Sequence, residues 1–176
     1  MRPVSLKVIP ESPDAEPRGG EGRGGSKRNI QRLPEPIRHA MGLAGELLAF
    51  QYLKVRHRER FSDSCWVSEN RASLFPEAGD PTHGFDFRVP TTETEWVYEV
   101  KATTGEATEF ELTDNEYRVA AQAAAERGRR YRILLVQHVF DLDRCRVLEL
   151  PNPAGQGRTN FKIVGRSSVR MTFELA

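Results

Sequence analysis

Three things are scarce in this sequence: cysteine, net charge and long apolar runs. There are two cysteines, Cys65 and Cys145, far apart in the chain. They match no zinc-ligand spacing, so buried free thiols in a reducing compartment are expected. Basic and acidic residues almost cancel, 26 against 25. No overall positive field exists to draw in nucleic acid, and any such binding must use local patches or a partner. No apolar run is long enough to span a membrane, and no signal-peptide core is visible. The expectation is a soluble, cytoplasmic protein. No internal repeat is visible either.

What is present is enough chain for one domain and a tail. Residues 1–34 are poor in large apolar side chains and rich in Gly, Pro and mixed charge. Such a stretch buries too little surface to offset chain entropy, which predicts a flexible tail, with a short strand at Val4–Ile9 as one option. Residues 35–176 are the predicted domain.

Its centre is Glu95–Lys101, read E-W-V-Y-E-V-K. Aromatic and β-branched residues make this a strand. Alternation puts Trp96, Tyr98 and Val100 on one face, and Val97, Glu99 and Lys101 on the other. An acid and a base thus stand side by side on a strand that otherwise looks buried. That costs free energy unless they are paired or bound to a metal. Upstream, Gly84–Val89 reads as a second strand, with Phe85, Phe87 and Val89 on one face and Asp86 and Arg88 on the other. Paired as a hairpin, the two strands bring Asp86 to Glu99 and Lys101.

A first helix is predicted over Pro34–Val55, with Pro36 tolerated near its start. Leu43, Leu47, Phe50 and Leu53 form its apolar stripe, and Glu46 falls inside that arc. Either Glu46 serves a site, or it sits at the stripe's edge paired with an arginine. Gly42 and Gly45 offer a close approach to the sheet or to a ligand. The basic run Arg56–Arg60 follows the helix C-terminus, where the dipole favours cations. Ser64–Asn70 reads as the first core strand and Leu74–His83 as a turn-rich loop, His83 being read as a loop histidine without a role.

Thr113–Arg127 is the second helix. Thr113 and Glu116 have capping-box spacing, which explains Glu116 structurally. Val119, Ala120, Ala123 and Ala124 form its packing face, and Gly128 ends it. Arg118 and Gln122, one turn apart, either face a substrate or belong to a solvated helix face. Arg129 and Arg130 lie in the densest basic cluster; they either compensate the dipole or anchor a phosphate. Tyr131–Val139 is the best central strand, parallel to the Glu99 strand through a right-handed crossover. Arg146–Leu150 follows, then an edge hairpin of Phe161–Val164 and Val169–Leu175. The predicted fold is α/β, a mixed sheet flanked by helices with an α-β-β-β-α-β core and extra C-terminal strands.

Asp86, Glu99 and Lys101 spell D-x12-E-x-K. Two carboxylates and a backbone carbonyl suit a hard cation such as Mg2+. Such an ion polarises a phosphoryl oxygen and acidifies bound water, and a neighbouring lysine can position that water or stabilise developing charge.

This order of elements resembles the PD-(D/E)XK nuclease superfamily, the restriction-endonuclease-like fold. More narrowly, G-L-A-G-E-L-L-A-F-Q-Y-L, W-V-S-E-N, G-F-D-F, Y-E-V-K-A-T-T-G and F-E-L-T-D-N-E-Y-R-V-A are similar to the domain at the C-terminus of the plant protein NO VEIN. That family also occurs in bacterial proteins, often beside helicase or ATPase modules. The resemblance spans Ile37 to Pro151. It implies metal-dependent phosphodiester hydrolysis, with Mg2+ or Mn2+, and the first hypothesis is a nuclease acting on DNA, in defence or repair. Asp86, Glu99 and the Val100 main chain would hold the metal, with Glu46 as a further acidic ligand through water. Lys101 would be the catalytic lysine, and a helicase or ATPase the partner. One departure is Phe85, where the superfamily pattern has proline. DNA against RNA stays open, as does homodimerisation.

Two other readings compete. The same fold can serve as a non-cleaving module that binds nucleic acid or a partner protein. The charges can also be structural, with Glu99 and Lys101 paired to Arg88 and Asp86.

Overall fold

The computed structural model describes residues 33–77, 79–155, 161–163 and 169–173. The predicted tail, the Val4–Ile9 strand and parts of the C-terminal hairpin lie outside these residues.

Helix α1 spans Glu35–His57, with a proline in its first turn and basic residues in its last. Strands β1 (Phe87–Pro90) and β2 (Glu95–Ala102) form an antiparallel hairpin, Phe87 opposite Tyr98. After β3 (Glu109–Leu112), helix α2 runs over Asp114–Ala125. Its capping box is complete: Thr113 accepts from the Glu116 N–H, and Glu116 reaches back to the Thr113 N–H. Strand β4 (Arg129–Gln137) lies parallel to β2, Glu99 opposite Ile133, and β5 (Arg146–Leu150) is antiparallel to β4. The main sheet is therefore mixed, in the order β1-β2-β4-β5, as the apolar Tyr131 run and the crossover predict.

The sheet is sandwiched. On one face α1 packs Phe50 and Leu53 against Tyr98, Leu134 and Val136. On the other, α2 packs Val119, Ala120 and Ala123 against Val97, Tyr131 and Ile133. The alternation read from E-W-V-Y-E-V-K holds: Tyr98 faces α1, and Val97 faces α2. Cys65 and Cys145 are buried free thiols. No helix is long and apolar enough to cross a membrane among the described residues.

Several expectations need correction. Ser64–Asn70 is not a strand. It is a short 3-10 turn at Asp63–Cys65, a single bridge from Trp66 to Phe87, and another turn at Glu69–Ser73. The N–H groups of Val67 and Ser68 both donate to the Asp86 carbonyl, at 2.8 and 3.3 Å. Phe85 does not share a face with Phe87 and Val89; it packs with the α2-side core. The strand and its regular alternation begin only at Phe87, so the pattern does not extend back to Phe85. The C-terminal strands β6 (Lys162–Ile163) and β7 (Val169–Thr172) do not edge the main sheet. They join β3 in a second sheet, with β7 between β3 and β6. The apolar stripe of α1 is rotated: Met41, Ala49, Phe50, Tyr52 and Leu53 are buried, whereas Leu43 and Leu47 are half-buried flanks. On α2, Ala124 is exposed.

Candidate active site

The hairpin register places Asp86, one residue before β1, beside Glu99. The Asp86 N–H donates to the Tyr98 carbonyl at 2.9 Å. The Val100 N–H donates to Asp86 Oδ2 at 2.7 Å, so the main chain of β2 orients this carboxylate. Asp86 and Glu99 line one cleft of about 180 Å³ together with Glu46, Ser68, Asn70, Phe85 and Glu116. Glu99 and Glu46 are 4% and 6% exposed, so both acids stand in low dielectric.

Glu46 enters from α1 because the helix comes very close to the sheet there. A Cβ on the preceding Gly45 would lie 2.8 Å from the Ala102 Cβ; Gly42 faces open space within 4 Å. Among the described residues no arginine pairs with Glu46. Its Oε2 accepts from the Trp66 indole N–H at 2.6 Å and from the Ser68 hydroxyl, and its Oε1 accepts from Asn70 at 2.5 Å.

Lys101 reaches the Glu99 Oε1 at 2.8 Å and the Glu116 Oε2 at 2.7 Å. Of the cross-face alternative, the Glu99–Lys101 pair is present, whereas Arg88 takes no part and meets Glu95 at 3.8 Å.

These groups number four carboxylates, Glu46, Asp86, Glu99 and Glu116, against one ammonium. The electrostatics follow from that imbalance. Burial, then the charges of Glu99 and Glu46, push Asp86 well above the usual carboxylate range. Burial pushes Glu99 up to about 8, even though Lys101 pulls the other way, because Lys101 is shared with Glu116. Burial also raises Glu46 against its three donors. Glu116 alone is held low: burial opposes it, but Lys101 and the Thr113 N–H prevail. For Lys101, burial disfavours the charge, and Glu99 and Glu116 more than restore it. The Tyr131 hydroxyl, 1% exposed, lies in the field of Glu99, Glu116 and Asp86 and has no hydrogen-bond partner among the described residues.

Among the described residues, no three His, Cys, Asp or Glu side chains form a ready-made ligand group. A hard cation that keeps most of its water needs only one or two carboxylates. Asp86 and Glu99 could supply those, and the chemistry of such a donor set suits Mg2+ or Mn2+.

The remaining sequence candidates lie elsewhere. Arg118 is exposed on α2, bonded to Gln122 at 3.2 Å and to Asn115 at 2.6 Å. Asn115 in turn holds the Thr82 carbonyl at 3.0 Å, so Arg118 stands near the rim without lining the cleft. Arg129 pairs with Glu95 and Glu126 and stacks over the Phe85 ring at 5.6 Å, behind the cleft. Arg130 is exposed and lines a separate groove of about 480 Å³ beside the C-terminal half of α2. His83 stacks on Phe85. Sequence reasoning missed Trp66, Ser68, Asn70 and the second role of Glu116. The first three sit in W-V-S-E-N, a motif whose polar residues were unexplained by a strand.

The fold and cleft define an α/β sandwich with a buried acidic site at the mouth of a hairpin. The chain belongs to the family described as "Protein NO VEIN, C-terminal", whose model matches residues 45–148. No curated protein and no solved structure matches it.

Proposed function

We propose that this domain is a metal-dependent nuclease of the PD-(D/E)XK type that hydrolyses phosphodiester bonds in DNA. The observation that carries the reading is the convergence of Asp86 and Glu99 on one cleft with Glu46 and Glu116, and the ion pairs by which two of these acids, Glu99 and Glu116, hold the Lys101 ammonium. Purely structural ion pairs match acids with bases; here four acids meet one lysine, and without a cation the surplus acids respond by raised pKa values.

Asp86 and Glu99 would hold Mg2+ or Mn2+, joined by the Val100 carbonyl, which leaves β2 on the same side as the N–H bonded to Asp86. The bound ion would supply a Lewis acid for a phosphoryl oxygen and a more acidic water. Lys101, gripped by two carboxylates, stays an ammonium. It therefore acts by donating hydrogen bonds and charge toward a phosphate oxygen, not by taking a proton. Glu46, locked by Trp66, Ser68 and Asn70, presents a fixed carboxylate able to orient a water. The near-neutral chain offers no strong general attraction for DNA, which supports delivery by a helicase or ATPase partner.

The test is cleavage of plasmid and of single-stranded DNA or RNA with Mg2+ and with Mn2+. Wild type should cut, and Lys101→Ala should bind DNA yet fail to cut. Absence of cleavage on every substrate with both metals would overturn the reading in favour of a non-cleaving module that binds nucleic acid or a partner protein.

A further inference from the structure

We propose that Glu116 is a positioning residue of this site: it fixes the Lys101 ammonium at the cleft from a second secondary-structure element. The inference rests on the nuclease reading above. Lysine has a long flexible stem, and a single partner two residues away on the same strand would leave its head free to swing. Glu99 supplies one contact from β2, and Glu116 supplies the other from the first turn of α2. The Glu116 Oε2 that meets Lys101 also accepts the Thr113 N–H at 3.0 Å. The acceptor is thus pinned to the helix backbone, and the ammonium is pinned to the acceptor.

The capping box alone does not account for a glutamate here. Glutamine closes the same box, since only an acceptor is required for the Thr113 N–H. The negative charge is needed by Lys101. The ammonium faces the N-terminus of α2, which carries partial positive charge and by itself repels it. Glu116 is half-buried, lines the cleft and reverses that repulsion. The residue therefore performs two separable tasks, an uncharged one for the helix and a charged one for the lysine.

Two variants separate them. Glu116→Gln keeps the cap and removes the charge. Thr113→Ala removes the hydroxyl of the cap and leaves the Lys101 contact. For Glu116→Gln, kcat should fall about ten- to hundredfold with KM for DNA unchanged and metal-induced thermal stabilisation retained. For Thr113→Ala, Tm should fall and kcat should stay within about twofold of wild type.

A second readout does not need turnover. Acetylation of Lys101 by an N-hydroxysuccinimide ester, followed by mass spectrometry against exposed Lys54, should rise several-fold in Glu116→Gln and stay at the wild-type rate in Thr113→Ala. The inference is overturned if Glu116→Gln loses no more kcat than Thr113→Ala, or if Lys101 labelling is the same in both. If wild type cuts nothing with either metal, the nuclease reading fails; the labelling contrast then still decides whether Glu116 fixes the lysine.

Discussion

Two carboxylate clusters flank the same sheet and behave in opposite ways. On the α1 face Glu149 accepts from Arg56 at 2.7 Å and from the Tyr52 hydroxyl at 2.9 Å, with Arg132 at 3.6 Å. One acid there meets two guanidinium groups. Burial works to raise its pKa, but Arg56 and Tyr52 hold it below the usual carboxylate range. In the cleft, four acids share one lysine, and Asp86, Glu99 and Glu46 are all pushed up. The cleft is the more buried of the two, with Arg56 40% and Arg132 31% exposed in the Glu149 cluster, yet burial pushes the carboxylates upward in both. Charge balance distinguishes them. The Glu149 cluster ties α1 to β5 and is complete without any ligand. The cleft is left with more acidic groups than its one lysine can match, and three of the four carry raised pKa values.

The comparison can be broken or sharpened by substitution. The largest effect is expected at Lys101: Lys101→Ala should lower single-turnover cleavage by about a hundredfold or more, with DNA affinity retained in a gel-shift assay. Next is Asp86→Asn. In wild type, Mg2+ at about a hundred times its Kd should stabilise the fold by about 2.7 kcal/mol; in the variant this shift should vanish in thermal melts. An unchanged shift would place the ion elsewhere.

Glu149→Gln should act the other way round. It should cost about 2 kcal/mol of stability in urea unfolding, reduced where solvent screens the pair. Cleavage, measured well below Tm, should be untouched. A loss of activity matching that at Asp86 would erase the distinction between the clusters.

The smallest effect concerns pH without metal. A glutamic acid whose pKa is higher folded than unfolded holds more protons in the folded state between the two values. Raising pH from about 4.5 to about 8 therefore takes stability away through Glu99. In EDTA, Glu99→Gln should flatten this decline and be more stable than wild type at pH 8, with little difference at pH 4. Equal slopes in both proteins would mean that Glu99 does not carry the raised pKa.

Much of this was legible in the sequence because it depends on local rules. The alternation of E-W-V-Y-E-V-K fixes which face Glu99 and Lys101 share. The turn-linked run before it supplies Asp86 at the matching register, and the long apolar Tyr131 run calls for a buried parallel neighbour. Thr113 and Glu116 announce a cap by spacing alone. The failures have a common cause. Trp66, Val67 and Ser68 look like strand residues, but the Trp66 indole and the Ser68 hydroxyl turn to Glu46, and the backbone wraps around the Asp86 carbonyl. Such a segment is shaped by groups about twenty residues away in both directions, which no local pattern encodes. Glu116 was hidden differently: its cap was a sufficient explanation, and the contact with Lys101 exists only once α2 lies against β2. Phe85 was misplaced because alternation was extended back beyond Phe87, where the regular strand begins.

The contact between Gly45 and Ala102 has one more consequence. Gly45 immediately precedes Glu46, and Ala102 immediately follows Lys101, so this close approach of helix and sheet lies next to a cleft carboxylate and to the lysine that Glu99 holds. The width of the opening is gauged by a hydrogen atom where other residues carry carbon. Gly45→Ala improves the helix's own propensity, yet it wedges the two layers apart at this point.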